Sequence, residues 1–167
     1  MRRRHLQFLL VGPVADQIDV FRKRWDPVMA ARALPHISLV YPEEYDDEAL
    51  LVSRTAEAAR HVRPFTVTLG EASGENGGQG GVWYAITDRS GTWNTLRAAI
   101  LSTPFRMLSI EPHVTVVHPR TSGRGPEALA GLSDVRISGK LDLREIVYTE
   151  TDVSGTSVLD RFHLLGS

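Results

Sequence analysis

The octapeptide Pro35-His36-Ile37-Ser38-Leu39-Val40-Tyr41-Pro42 returns 77 positions later as Pro112-His113-Val114-Thr115-Val116-Val117-His118-Pro119. Four of the eight positions are identical and three more exchange Ile for Val, Ser for Thr and Leu for Val. The β-branched residues and the alternation of polar with apolar positions read as a strand in each copy. Residues i and i+2 of a strand share a face, so His36 points with Ser38 and His113 with Thr115. Ile37 and Leu39, like Val114 and Val116, then face the core and pin the register. The same alternation turns His118 away from His113. The spacing of the copies predicts two lobes of similar size, related by an approximate two-fold axis, that bring both His/hydroxyl pairs into one cleft.

Working outward, a strand is expected over Leu6–Val11, then a helix capped by Asp16 with Ile18, Phe21 and Trp25 on one face, ended by Pro27. Strand Leu34–Tyr41 leads to an alanine-rich helix from about Asp47 to Val62. Phe65, Val67 and Leu69 alternate with threonines, and Val82–Thr87 forms a second strand after the glycine-rich link Gly70–Gly81. Thr92 is the expected cap of a helix carrying Trp93, Leu96 and Ile100, with Pro104 beyond its end. Pro126 opens a short helix through Leu132, and strands follow near Val135–Leu141, Leu143–Thr149 and Ser157–Leu164. Several strand pairs lack a crossover helix, so the fold class is α+β: two pseudo-symmetric lobes of mainly antiparallel sheet, with outer helices, around a central cleft. Residues 1–167 read as one bilobal domain.

With 167 residues, 42% of them hydrophobic, the chain is long enough to bury a core without staples. It has no cysteine, which removes disulfides, thiol catalysis and Cys-based zinc sites, and fits a cytoplasmic location. The start, Arg2-Arg3-Arg4 followed by a short apolar run with Gln7 inside it, reads as a solvated flank and first strand rather than a signal peptide. No stretch approaches the roughly 20 apolar residues of a membrane helix. A net charge of −1 excludes the broad basic surface of sequence-independent duplex binding. The expected partner is an RNA end or small nucleotide gripped locally, and a monomer suffices.

Imidazole titrates near 6.5, so of two histidines in one cleft one can accept a proton while the other donates one. Hydrolysis of a cyclic phosphodiester needs both acts. Ser38 and Thr115 would donate hydrogen bonds to the non-bridging oxygens as charge develops there. The scheme calls for no metal and no cofactor.

Two His-x-[Ser/Thr]-hydrophobic motifs, one on a strand in each half of a small α+β chain, resemble the two-histidine (2H) phosphoesterase superfamily. Within it the chain is most similar to bacterial 2′–5′ RNA ligase-like and cyclic phosphodiesterase proteins. The resemblance implies that His36 and His113 are the catalytic acid–base pair and that Ser38 and Thr115 bind the substrate phosphate. It also implies RNA-processing chemistry: metal-independent hydrolysis of 2′,3′-cyclic phosphate ends, or reversible 2′–5′ joining. Some relatives carry a basic residue soon after the second motif, for which His118 and Arg120 are the nearest candidates.

Other readings stay open at this point. Strand histidines are usually satisfied by local hydrogen bonds, and Ser or Thr in a strand needs no ligand to explain it. Trp83 and Tyr84 fall on opposite faces of one strand, so at most one can line the cleft and stack on a base. Tyr41, Phe105 and Arg120 are further candidate substrate contacts, while His5, His61 and His163 read as surface or packing residues. The glycine-rich link does not follow a strand into a helix, so it is a hairpin loop, with a lid over the cleft as a secondary idea. A zinc hydrolase and a non-catalytic nucleotide or RNA-end binding module are the alternatives.

Overall fold

The computed structural model describes residues 2–166. β1 (Arg3–Leu9) leads into α1 (Pro13–Trp25) and α2 (Pro27–Arg32), then β2 (His36–Val40), α3 (Glu48–His61), β3 (Phe65–Gly74) and β4 (Val82–Thr87). The order continues with α4 (Thr92–Ile100), β5 (His113–Val117), α5 (Gly125–Ser133), β6 (Lys140–Leu143), β7 (Glu145–Thr151) and β8 (Thr156–His163). All strand pairs are antiparallel, in one curled eight-stranded sheet of order β6-β3-β4-β5-β2-β1-β7-β8. The α+β reading holds, and the two octapeptides turn out to be the two central strands. They meet at a seam where Ile37 faces Val114. Each half supplies four strands, one set outward from β2 and one outward from β5.

The two-fold relation extends to an irregularity. Leu6 pairs with Val40 and the next residue, Gln7, with Ser38, so Leu39 is extra; Val82 pairs with Val117 and Trp83 with Thr115, so Val116 is extra. A bulge inserts one residue and resets the alternation. Leu39 and Val40, and equally Val116 and Val117, are all 0% exposed. Two consecutive side chains thus enter the core in each copy, and the alternation resumes one step late. Tyr41 and His118 return to the histidine face, which corrects the expectation that His118 turns away: the strand does not stay regular.

The helices cover the other face in a crossed manner. α1 packs on β5, α5 and β6, elements of the opposite half, while α4 packs on α3 and β2. Their apolar stripes supply Ile18 and Trp25 from α1 and Trp93, Leu96 and Ile100 from α4 to the core. Two expected caps shift. α1 begins at Pro13 after Gly12, whose φ of +95° suits glycine, so Asp16 lies in the first turn. α4 begins at Thr92 itself, with the Asp88 carboxylate accepting from the Trp93 amide at 2.8 Å.

The first part of the glycine-rich link, through Gly74, is strand. β3 runs on to Gly74 with Ala72 opposite Tyr84, and a Cβ on Gly70 would meet the Ala85 carbonyl oxygen at 3.0 Å. The remaining turn is packed down on α5: a Cβ on Gly78 would come within 2.6 Å of the Gly125 backbone. That contact holds the turn against α5, so the link does not serve as the lid expected from its glycines. Among the described residues, no helix is long and apolar enough to cross a membrane.

Candidate active site

Ile37 opposite Val114 in an antiparallel pair sets His36 across from Thr115 and Ser38 across from His113. The four residues form a small quadrilateral on the face away from the core. Each histidine is fixed in the same way. The His36 Nδ1–H donates to the Leu34 carbonyl at 2.7 Å, and the His113 Nδ1–H donates to the Glu111 carbonyl at 2.9 Å. A neutral ring held so leaves Nε2 as the acceptor, and a protonated ring presents Nε2–H as a donor. Either histidine can therefore serve as acid or base without moving.

Burial pushes His36 down to about 4; the hydrogen bond to Leu34 opposes this, while Arg22 and His113 push the same way. His5, on β1, is also pushed down to about 4, by burial first and then by His36 and Arg3. Of the surface and packing roles expected for His5, the structure shows packing, beside Tyr41 at the cleft. Both groups take up their protons at lower pH in the folded chain than in the unfolded one, whose histidines titrate near 6.5. The unfolded state binds more protons between those values, so stability is lost as pH falls from about 6.5 toward 4. Thermal unfolding is expected to show a falling Tm over that interval, and the double substitution His5→Gln/His36→Gln to reduce the slope. An unchanged slope in the double variant would show that these two groups do not carry it.

The flanking strands complete the floor. Across from Thr115 stands Trp83, whose ring centroid is 6.0 Å from that of His113, tilted by 56°. Tyr84, its neighbour, is 1% exposed and belongs to the core, so Trp83 is the aromatic side chain of that strand that lines the cleft. Tyr41 is also brought in: it meets His5 edge-on at 5.8 Å, and burial pushes its hydroxyl up while Ser38 beside it pulls down. On β1, Gln7 stands across from Ser38 and Leu9 across from His36. Phe105 is not at the site. It packs in the core against Tyr45, centroids 6.3 Å apart, beneath the Arg54 guanidinium. Its sequence position near a proline turn gave no hint of which side it covers. Arg120 is exposed, its amide N–H donating to His118 Nδ1 at 3.1 Å. His118 is pushed down by burial and then by Arg120.

Two buried carboxylates that sequence reasoning missed hold the residue after each motif. Glu44 accepts from the Tyr41 amide at 2.9 Å, and Asp26 accepts from the His118 amide at 3.0 Å. Asp26 also caps α2 through the Met29 amide and takes the Thr121 hydroxyl. Glu44 is paired with Arg97 in a two-pronged contact of 2.6 and 3.1 Å, and Arg97 donates further to the Leu39 carbonyl, the oxygen of the bulged residue. Glu44 and Arg97 are 1% and 2% exposed. A buried charge needs such partners. A charged residue just after the first motif was visible in the sequence, but its partner lies 53 positions away. A cavity of about 480 Å³ lies apart from the histidines, between β3, α5 and the segment before β6.

The family model of the 2′-5′ RNA ligase superfamily matches residues 10–154. Among solved structures, TT0787 of Thermus thermophilus superposes with a TM-score of 0.66 at 14% identity, covering 99% of both chains. LigT of E. coli in complex with ATP gives 0.64 at 18% identity over 98% of this chain and 97% of that one. LigT in complex with 3′-AMP gives 0.60 at 18% over 98% of each. At such identities the likeness shows the fold. No curated protein matches the chain.

Proposed function

Because the chain belongs to the 2′-5′ RNA ligase superfamily of two-histidine phosphoesterases, we propose that its cleft hydrolyses 2′,3′-cyclic phosphate ends of nucleotides or RNA, or reversibly joins 2′–5′ linked ends. His36 and His113 are the acid–base pair. The observation that carries this reading is the pair of equivalent histidines, each with Nδ1–H tied to a backbone carbonyl and Nε2 left free beside a hydroxyl from the other strand. One ring takes the proton from the attacking water while its partner protonates the departing ribose oxygen. Ser38 and Thr115 donate to the non-bridging oxygens as the phosphorane charge grows. In the joining direction a 5′-hydroxyl departs or attacks in the place of water. The nucleotides held by LigT, namely ATP, NADP+ and 3′-AMP, support a nucleotide ligand here.

A zinc hydrolase built on the same histidines would need a third protein ligand. Among the described residues no three His, Asp or Glu side chains converge to hold a metal ion. The deciding experiment follows nucleoside 2′,3′-cyclic monophosphates and a cyclic-phosphate-ended oligonucleotide by chromatography, with excess EDTA. Turnover to a nucleoside monophosphate is the expected result. Binding without turnover would make the chain a nucleotide-binding module, and loss of activity on chelation would return the zinc reading.

Trp83 is the stacking platform for the nucleobase beside His113. Base stacking on an aromatic residue is worth about 1–3 kcal/mol. Trp83→Ala is therefore expected to raise KM for a cyclic nucleotide roughly tenfold, with a smaller change in kcat. Equal KM values in the two proteins, by initial-rate kinetics, would remove Trp83 from the site.

A further inference from the structure

The pseudo-two-fold axis equates His36 with His113 and Ser38 with Thr115, yet it fails on the strands alongside. The place that Trp83 takes across from Thr115 is taken across from Ser38 by Gln7. Gln7 is 3% exposed, one of the few polar side chains so deeply set. Directly opposed residues of an antiparallel pair share a face, so its side chain stands beside the Ser38 hydroxyl on the floor of the cleft. Among the described residues, its amide makes no side-chain hydrogen bond. The amide is not one of the side-chain groups sealed in the core without a partner, so what exposure Gln7 keeps opens its N–H to the cleft, where it can donate to a ligand.

We propose that Gln7 is a substrate-binding residue, its amide N–H donating to the phosphate oxygen that Ser38 also holds, and that the exchange of Gln7 for Trp83 across the axis fixes the direction of the substrate. This rests on the phosphoesterase reading of the same cleft. The base lies on Trp83, on the side of His113, and the extra donor grips the phosphate on the side of His36. In a 2′,3′-cyclic nucleotide both ester oxygens belong to the ribose that carries that base, so the departing oxygen lies toward His113. Water then enters from the opposite side, next to His36. The water oxygen bonds to phosphorus, one ribose P–O bond breaks, His36 takes a water proton and His113 gives one to the ribose oxygen. The burial that holds His36 in its neutral form suits it to the accepting role.

The test uses Gln7→Glu, which keeps shape but removes the donor and adds a negative charge, and Gln7→Met, which keeps volume without polarity. Affinities for inorganic phosphate and for 2′-AMP and 3′-AMP are measured by calorimetry, with Trp83→Ala as the contrast. Both Gln7 variants are expected to weaken phosphate and nucleotide alike by about tenfold or more, the weight of a hydrogen bond to a charged group. Trp83→Ala should weaken the nucleotides only. In the wild-type protein, phosphate is expected to shift the Gln7 side-chain amide resonances in a ¹⁵N–¹H spectrum, a readout that needs no variant to fold. Unshifted Gln7 resonances on saturation with phosphate, or wild-type affinity in folded Gln7→Glu, would overturn the proposal while leaving the histidine chemistry standing. A wild-type protein that neither binds nor turns over any of these nucleotides would remove both.

Discussion

His36→Ala and His113→Ala are each expected to lower kcat/KM for a 2′,3′-cyclic nucleotide by about 10²-fold or more, the weight of a positioned general acid or base. The double variant should be little worse than the poorer single one, because groups that act in one proton-transfer sequence are strongly non-additive. Neither histidine belongs to the apolar core, and each spends its Nδ1 proton on a carbonyl in its own strand lead-in. Removing the ring should therefore leave the Tm within a few degrees of wild type, so that lost activity can be assigned to chemistry. Rates in excess EDTA, with circular dichroism as the check on folding, decide the matter. Either single variant retaining full activity would remove the two-histidine mechanism.

Glu44→Ala carries the largest expected loss of stability. It leaves the Arg97 guanidinium, 2% exposed, without its carboxylate, and breaking a buried pair from one side costs about 3–5 kcal/mol. The double variant Glu44→Ala/Arg97→Met removes the stranded charge and is expected to recover part of that loss. Urea unfolding of the three proteins gives the comparison. A single variant as stable as wild type would mean that water reaches Arg97. The local consequence reaches the cleft, because Glu44 holds the Tyr41 amide and Arg97 the Leu39 carbonyl at the bulge.

What could be read from the chain followed its local physics. The octapeptides announced two strands and the facing of His36, Ser38, His113 and Thr115, because a period of two needs only neighbours to be seen. That the copies pair with each other was not readable, since Ile37 and Val114 are brought together by the whole sheet. The bulges were hidden for a related reason: an extra residue is defined by the partner strand, and nothing in Leu39-Val40 or Val116-Val117 marks it. An unbroken alternation accordingly puts His118 on the wrong face. Gln7 looked like a polar interruption in an apolar strand, and its neighbour Ser38 across the ladder lies 31 positions on. Phe105 reads as a substrate contact from sequence because aromatic character alone carries no direction, and Arg54 and Tyr45, which enclose it, come from elsewhere in the chain.

The crossing of the helices has a consequence for the order of synthesis. β1 pairs with β7, Arg3 lying opposite Thr151, and α1 covers β5 and β6. The first strand and helix thus wait for partners made up to 148 residues later (151 − 3), on the order of 7 to 30 s at ribosomal speeds of roughly 5–20 residues per second. During that interval the apolar face of β1, with Leu6 and Phe8, has β2 beside it but not β7. A nascent chain of this design has reason to meet a holding chaperone before its last strands emerge.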